Sequence, residues 1–212
     1  MSPTRVILRA MVVLRVATLV GMVALAGCAQ SGLRPTAPAL SSDDLHAAHV
    51  AAIGTLREWR LAGRLGVKRG YKGFSADLDW RESAAGYSLR VAAPLNGGTF
   101  ALDGDATAVT LVTPKGETYT AANADTLMRR HLGWALPLAG TRYWVRGLPD
   151  PAYPVTGEHL DDAGRWTEFA QDGWHVNVLE YRVAAGLALP ARLVLAHDKL
   201  QVRMVIKTWE RR

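Results

Sequence analysis

The rhythm of hydrophobic and polar residues changes along this chain. From Val16 to Ala26 the residues are almost all apolar, behind Arg5, Arg9 and Arg15. From Ala29 to Leu40 there is no period, only small residues with Pro35 and Pro38, a composition that reads as a tether. Ser41 and Ser42 then stand before Asp43 and Asp44: cap residues followed by acids on the positive end of a helix dipole. Leu45, His49, Ala52, Leu56 and Trp59 follow at helical spacing and predict one apolar stripe.

After Trp59 the period becomes two. It runs through Leu61–Val67, is strict in Phe74–Arg81, and returns as Tyr87, Leu89 and Val91 with Ser88 and Arg90 between them. One apolar and one wet face is the pattern of antiparallel strands. Short runs follow at Phe100–Leu102, Val109–Val112 and Glu117–Thr120, with turns at Gly104-Asp105 and Pro114-Lys115-Gly116. Helical spacing resumes from Asn123 to about His131, stopped by Gly133, and from Leu138 to Arg146, stopped by Gly147 and Pro149. Strands come back at Tyr153–Leu160, Arg165–Gln171, Trp174–Arg182, Ala191–His197 and Leu200–Trp209, with Asp172-Gly173 and Asp198-Lys199 as hairpin turns.

The pattern amounts to about 11 strands, with one helix in front and a helical pair after the sixth strand. No segment reads as strand–helix–strand with a parallel return. A mainly β (α+β) fold with an antiparallel sheet is therefore expected. A sheet this long twists and curls. Helices on its concave face would leave an unclosed half-barrel with an apolar inside.

The basic start, the apolar run and the small residues before Cys28 read as a secretory signal over residues 1–27. Leu25-Ala26-Gly27-Cys28 resembles the lipobox of bacterial lipoproteins. That resemblance implies cleavage before Cys28, a diacylglyceryl group on its thiol and an acyl group on its new amine. Residues 28–40 would then be a lipidated tether and residues 41–212 the folded domain. Three acyl chains suffice to hold a protein on a bilayer, where one binds only marginally. Ala29 stands where an aspartate would resemble an inner-membrane retention signal, which favours the outer membrane.

Charge narrows the partners. The formal +6 falls to +3 once the three arginines of residues 1–27 are set aside. With no block of like charge, nucleic acid is not an expected partner. Cys28 is the only cysteine, so no disulfide forms within the chain and the domain must rely on its core. Beyond the leader, no apolar stretch approaches the roughly 20 residues of a membrane span.

Catalytic motifs are missing. His46, His49, His131, His159, His175 and His197 are scattered, without a His-Glu-x-x-His pair. There is no Gly-x-Ser-x-Gly elbow and no Walker loop. An enzyme, a metal site and a nucleotide-driven machine are all unexpected.

The body instead carries an ordered set of short matches. They begin with Trp59-x-x-x-Gly63-Arg64-Leu65-Gly66-Val67, Ala76-x-Leu78-x-Trp80, Tyr87-x-Leu89 and Ala93-Pro94-Leu95. They continue with Leu111–Gly116, Tyr119-Thr120-Ala121, Leu136-Pro137-Leu138 and Trp144-x-x-Gly147-Leu148-Pro149. Gly173-Trp174-x-Val176, Leu189-Pro190 and Ile206-Lys207-Thr208-Trp209 complete them. In this order, behind a lipobox, they resemble the LolB family of outer-membrane lipoproteins.

The resemblance implies an unclosed antiparallel barrel lidded by helices. It also implies a function: accepting lipoproteins from the periplasmic carrier LolA and inserting them into the inner leaflet of the outer membrane. The chain would be monomeric and face the periplasm on its lipid anchor, with outer-membrane phospholipid and acylated lipoproteins as partners. No cofactor is expected beyond the acyl groups on Cys28. Phe74, Leu78, Trp80, Tyr87 and Leu89 would line the acyl-chain cavity, with Trp144 and Trp174 as matching aromatics. Pro94 and Leu95 match the family's membrane-insertion loop, whose protruding leucine delivers cargo. The family usually has glycine after that leucine; here Asn96 stands there, and asparagine tolerates left-handed backbone. The same wall would serve another lipid or glycolipid cargo, and a solidly filled concave face would instead suit an assembly lipoprotein.

Overall fold

The period-two segments join into a single sheet. In the computed structural model, which describes residues 40–94 and 97–212, the strands are β1 (Trp59–Arg69), β2 (Lys72–Ser83), β3 (Gly86–Ala92), β4 (Thr99–Gly104), β5 (Val109–Val112) and β6 (Thr118–Ala121). After the helices come β7 (Thr156–Leu160), β8 (Trp166–Gln171), β9 (Trp174–Ala184), β10 (Leu187–His197) and β11 (Leu200–Arg211). Their order is β6-β5-β4-β3-β2-β1-β11-β10-β9-β8-β7, and every pairing is antiparallel. The expected mainly β, unclosed architecture is what forms.

This order dictates where the helices lie. β6 and β7 are the two edges of the sheet, yet they are consecutive in the chain. The connection between them must cross the open face, and it carries α2 (Ala124–Leu132) and α3 (Leu138–Trp144). These helices bury Leu127, Met128, Leu138 and Trp144 in the same core as the inward residues of β1–β5 and β8–β11. The first helix, α1 (Ser42–Gly54), packs near β10. The unit Leu40–Arg212 thus encloses one hydrophobic core of its own.

Local chemistry sets the ends of these elements. Ser41 and Asp44 cap α1 reciprocally, satisfying two N–H groups that a helix start leaves free. The expected stripe of α1 needs correction. The helix stops at Gly54, so Leu56 packs from a turn and Trp59 opens β1; Ile53, not the exposed Ala52, is buried. Asn123 Oδ1 accepts from Thr126 N–H at 3.0 Å to start α2, and Gly133 ends it at φ 76°. α3 stops at Trp144, two residues short of expectation. Pro154, which cannot donate to a ladder, precedes the shorter β7 on the exposed sheet edge.

At the sheet centre, β1 shifts register against β11 at Ala62 and Gly63. A Cβ on Gly63 would lie 2.0 Å from the Val205 carbonyl oxygen, so only glycine permits the approach. Around it, Trp59 sets its ring edge-on to Trp80 and Trp209 at centroid distances of 5.3 and 5.4 Å. The Trp209 indole donates to the Pro190 carbonyl at 3.0 Å. On the other face, Arg60 forms a fork to Asp79, with its closest contact at 2.5 Å, and holds that carboxyl below the usual range.

Candidate apolar cavity and its lid

The inward residues of β1–β5 and the underside of the lid meet around one cavity. Leu78 and Trp80 on β2, Leu89 and Val91 on β3, and Leu102 and Leu111 beyond them form the sheet wall. Met128 and Leu132, a helical turn apart on α2, close it from above with Trp134, Leu136 and Leu138. No charged side chain lines it. Only about 30 Å³ is open to the centre of a water molecule. A single water needs roughly 10–15 Å³ by the same measure, so the space is nearly closed.

Contacts at both ends hold the lid down. At one end Arg69 donates to the Gly133 carbonyl, and Phe74 lies 6.0 Å from Trp134, ring to ring. At the other, Arg142 on α3 reaches Glu82 at 2.9 Å. Glu82 is only 5 % exposed, and burial pushes its carboxyl up while Arg142 pulls it down. Between these ends His131 stacks on Tyr119 at 3.9 Å.

The predicted residues divide among several places. Leu78, Trp80 and Leu89 stand on the cavity wall. Phe74 sits at its rim, 43 % exposed. Tyr87 faces a separate polar recess with Glu82, Asp125 and Arg142, and burial pushes its phenol up to about 12. Trp144 and Trp174 pack together at 5.9 Å, away from this wall. Pro94 is exposed, while Leu95, Asn96 and Cys28 lie outside the described residues.

Gln171 organises the Trp144 corner. Its Oε1 accepts from the Trp144 indole at 2.9 Å and from the Asp150 N–H at 2.8 Å. Its Nε2 donates to the carbonyls of Asp150 and Tyr153, each at 2.8 Å. Sequence reasoning missed Gln171, because an inward polar residue in a strand looks like a break in the pattern. It also missed Trp134, Leu136, Met128 and Leu132 as lid residues, although the i, i+4 pair Met128/Leu132 was a usable signal.

Among the described residues, no three His, Cys, Asp or Glu side chains gather as metal ligands. None of their helices is long and apolar enough to cross a membrane. Fold and site together define a helix-lidded antiparallel half-barrel with an apolar interior.

Residues 57–209 match the family described as "Outer membrane lipoprotein LolB". The chain is 34% identical over 192 residues to the outer-membrane lipoprotein LolB of Nitrosococcus oceani, covering 91% of this chain and 94% of that one. It is 33% identical over 186 residues to that of Chromohalobacter salexigens, covering 88% and 85%. The chain belongs to the LolB family. That makes it an outer-membrane lipoprotein of the lipoprotein-localisation pathway and not an enzyme. Among solved structures, a DUF1329 family protein from Desulfovibrio piger superposes with a TM-score of 0.52 at 9% identity, covering 80% of this chain and 91% of that one. That likeness is one of fold.

Proposed function

We propose that this protein accepts lipoproteins from the periplasmic carrier LolA into its apolar interior and inserts them into the inner leaflet of the outer membrane. The observation that carries the reading is a wholly apolar cavity under a lid held at its ends by a few polar contacts. Each methylene of an acyl chain gains roughly 0.8 kcal/mol on leaving water. A chain of ordinary length therefore needs an apolar host while it crosses an aqueous space. The resting cavity is too small for one, so α2, the Gly133–Pro137 segment and α3 must lift as cargo enters. The Arg69–Gly133 and Glu82–Arg142 contacts break in that step, and the acyl chain replaces Trp134 and Leu136 against the sheet wall.

Direction comes from relative affinity: cargo passes from a weaker site on the carrier to a tighter one here, and then to the bilayer. No nucleotide is consumed. Lipidated Cys28 holds the monomeric body on the membrane facing the periplasm, and Leu95, in the connection after Pro94, meets the phospholipid and starts the release. Phe74, Leu78, Trp80, Tyr87 and Leu89 contact the acyl chains, and Trp144 and Trp174 extend the same apolar interior when the lid is open.

The test is transfer between purified components. A lipoprotein bound to the carrier is mixed with this protein in the absence of nucleotide. The expected result is movement of the cargo onto this protein; cargo that stays on the carrier refutes the proposal. In liposomes, Leu95→Glu is expected to keep cargo binding and lose insertion. Normal insertion by that variant removes Leu95 from the mechanism.

A further inference from the structure

The end of the half-barrel where β1 turns into β2 has an unusual surface. The turn is Lys68-Arg69-Gly70-Tyr71-Lys72-Gly73, with no acid in it. Tyr71 is 109% exposed, as open as a side chain in an unfolded peptide. A soluble domain gains nothing from holding a tyrosine ring wholly in water. That side chain has an apolar body and a polar tip, which suits a membrane–water boundary.

Topology gathers further groups to the same end. Strands alternate in direction, so the turns β1–β2, β3–β4, β5–β6, β8–β9 and β10–β11 all emerge there. The Gly70 N–H donates to the Lys199 carbonyl in the β10–β11 turn. Ala93 bonds to Gly98 across the β3–β4 connection, and Gly98 lies against Pro114 in the β5–β6 turn. The result is a continuous rim running from Lys199 through Tyr71 and Pro94 to Lys115. Lys68, Lys72, Lys115 and Lys199 are all exposed on it, and none is in an ion pair among the described residues. Asp198, Glu117 and Asp172 are the acids within the same turns, fewer than the four lysines and Arg69.

We propose that this rim is a docking surface for the anionic phospholipid face of a bilayer, with Tyr71 at headgroup level and the four lysines on lipid phosphates. Charge complementarity selects this occupant, since an excess of unpaired cations around one exposed aromatic fits a surface both anionic and amphipathic. The rim includes the lid joint, because Arg69 holds Gly133 and Phe74 meets Trp134 there. Docking therefore brings the seam of the cavity to the lipid. The inference rests on the outer-membrane setting of the proposed function, but not on cargo transfer.

The experiment uses the chain from residue 28 onward with Cys28→Ala, so that no acyl anchor masks weak binding. Its affinity is measured for vesicles of phosphatidylethanolamine alone and for vesicles with phosphatidylglycerol added. Binding is expected only where the anionic lipid is present, and should fall steeply between about 0.05 and about 0.5 M salt. Replacing Lys68, Lys72, Lys115 and Lys199 together by Gln should weaken it on the order of a hundredfold or more. Tyr71→Ser should weaken it several-fold, and Asp198→Asn should strengthen it. Thermal melting monitors folding of each variant. No binding by the unmutated surface, or equal binding by the four-lysine variant, overturns the proposal. Cargo uptake from the carrier in solution is read separately: its absence counts against the proposed function, while the vesicle result judges the rim alone.

Discussion

Gln171→Met should detach the corner that fixes the lid's crossing segment to the sheet. Gln171 is 2 % exposed and uses its whole amide: both hydrogens of Nε2 and both lone pairs of Oε1 are engaged. Methionine has a similar volume and shape, so packing is largely kept while four partners lose their bonds. Those partners are the Trp144 indole N–H, the Asp150 N–H, and the carbonyls of Asp150 and Tyr153. A buried hydrogen bond contributes about 1 kcal/mol net, and an orphaned buried group costs about 1–3 kcal/mol. The loss is therefore at least about 4 kcal/mol. In a domain of this size, each kcal/mol moves the melting temperature by roughly 2–4 °C. A fall of about 8–16 °C is expected by calorimetry. A fall below about 3 °C would refute the reasoning, since it would mean that water or a shifted backbone already satisfies these groups.

Further outcomes follow from single sites. Gly63→Ala places a Cβ 2.0 Å from a backbone oxygen in the central ladder, where neither strand can move alone; a loss of about 3 kcal/mol by urea titration is expected. Leu102→Ala should cost about 2–5 kcal/mol and enlarge the cavity enough to bind a small apolar molecule such as benzene, detectable by calorimetry. His49 is held below its ordinary value by burial, with Arg165 and His46 adding to this and Asp161 opposing. Its neutral form is thus favoured in the folded state. The stability this contributes is present above about pH 6.5 and is lost as the pH falls through the lower folded value. His49→Phe should flatten melting temperature against pH in that window, and an unchanged slope would count against burial as the cause. Glu82 has the opposite sign to an acid such as Asp79, because burial outweighs the pull of its Arg142 partner. Its raised pKa makes the wild type lose stability relative to Glu82→Gln as pH rises above the ordinary carboxylate range, which paired melts from about pH 4 to pH 8 would show.

Much of this architecture was legible because solvent writes it into the chain. Phe74–Arg81 alternates since one face of β2 meets the core and the other meets water. Asn123 and Gly133 mark the ends of α2 because helix termini leave backbone groups that only certain residues satisfy. The misplaced α1 stripe has a simple cause. Leu56 and Trp59 continue the helical spacing, but the chain turns after Gly54 and buries both from other elements.

The sequence by itself determined the kinds of elements, their order and an apolar inner face. Each follows from local preference or from the contrast between apolar and wet sides. Only the tertiary structure decided that β1 and β11 pair, and that Gly63 is needed because Val205 lies across from it. It alone put Leu78, Trp80 and Leu89 on the wall of a cavity while Trp144 and Trp174 formed a separate corner. It alone gathered Tyr71 and four lysines from distant turns onto one rim. Periodicity is one-dimensional: it records that a side chain leaves water, and not which of the other buried faces it meets.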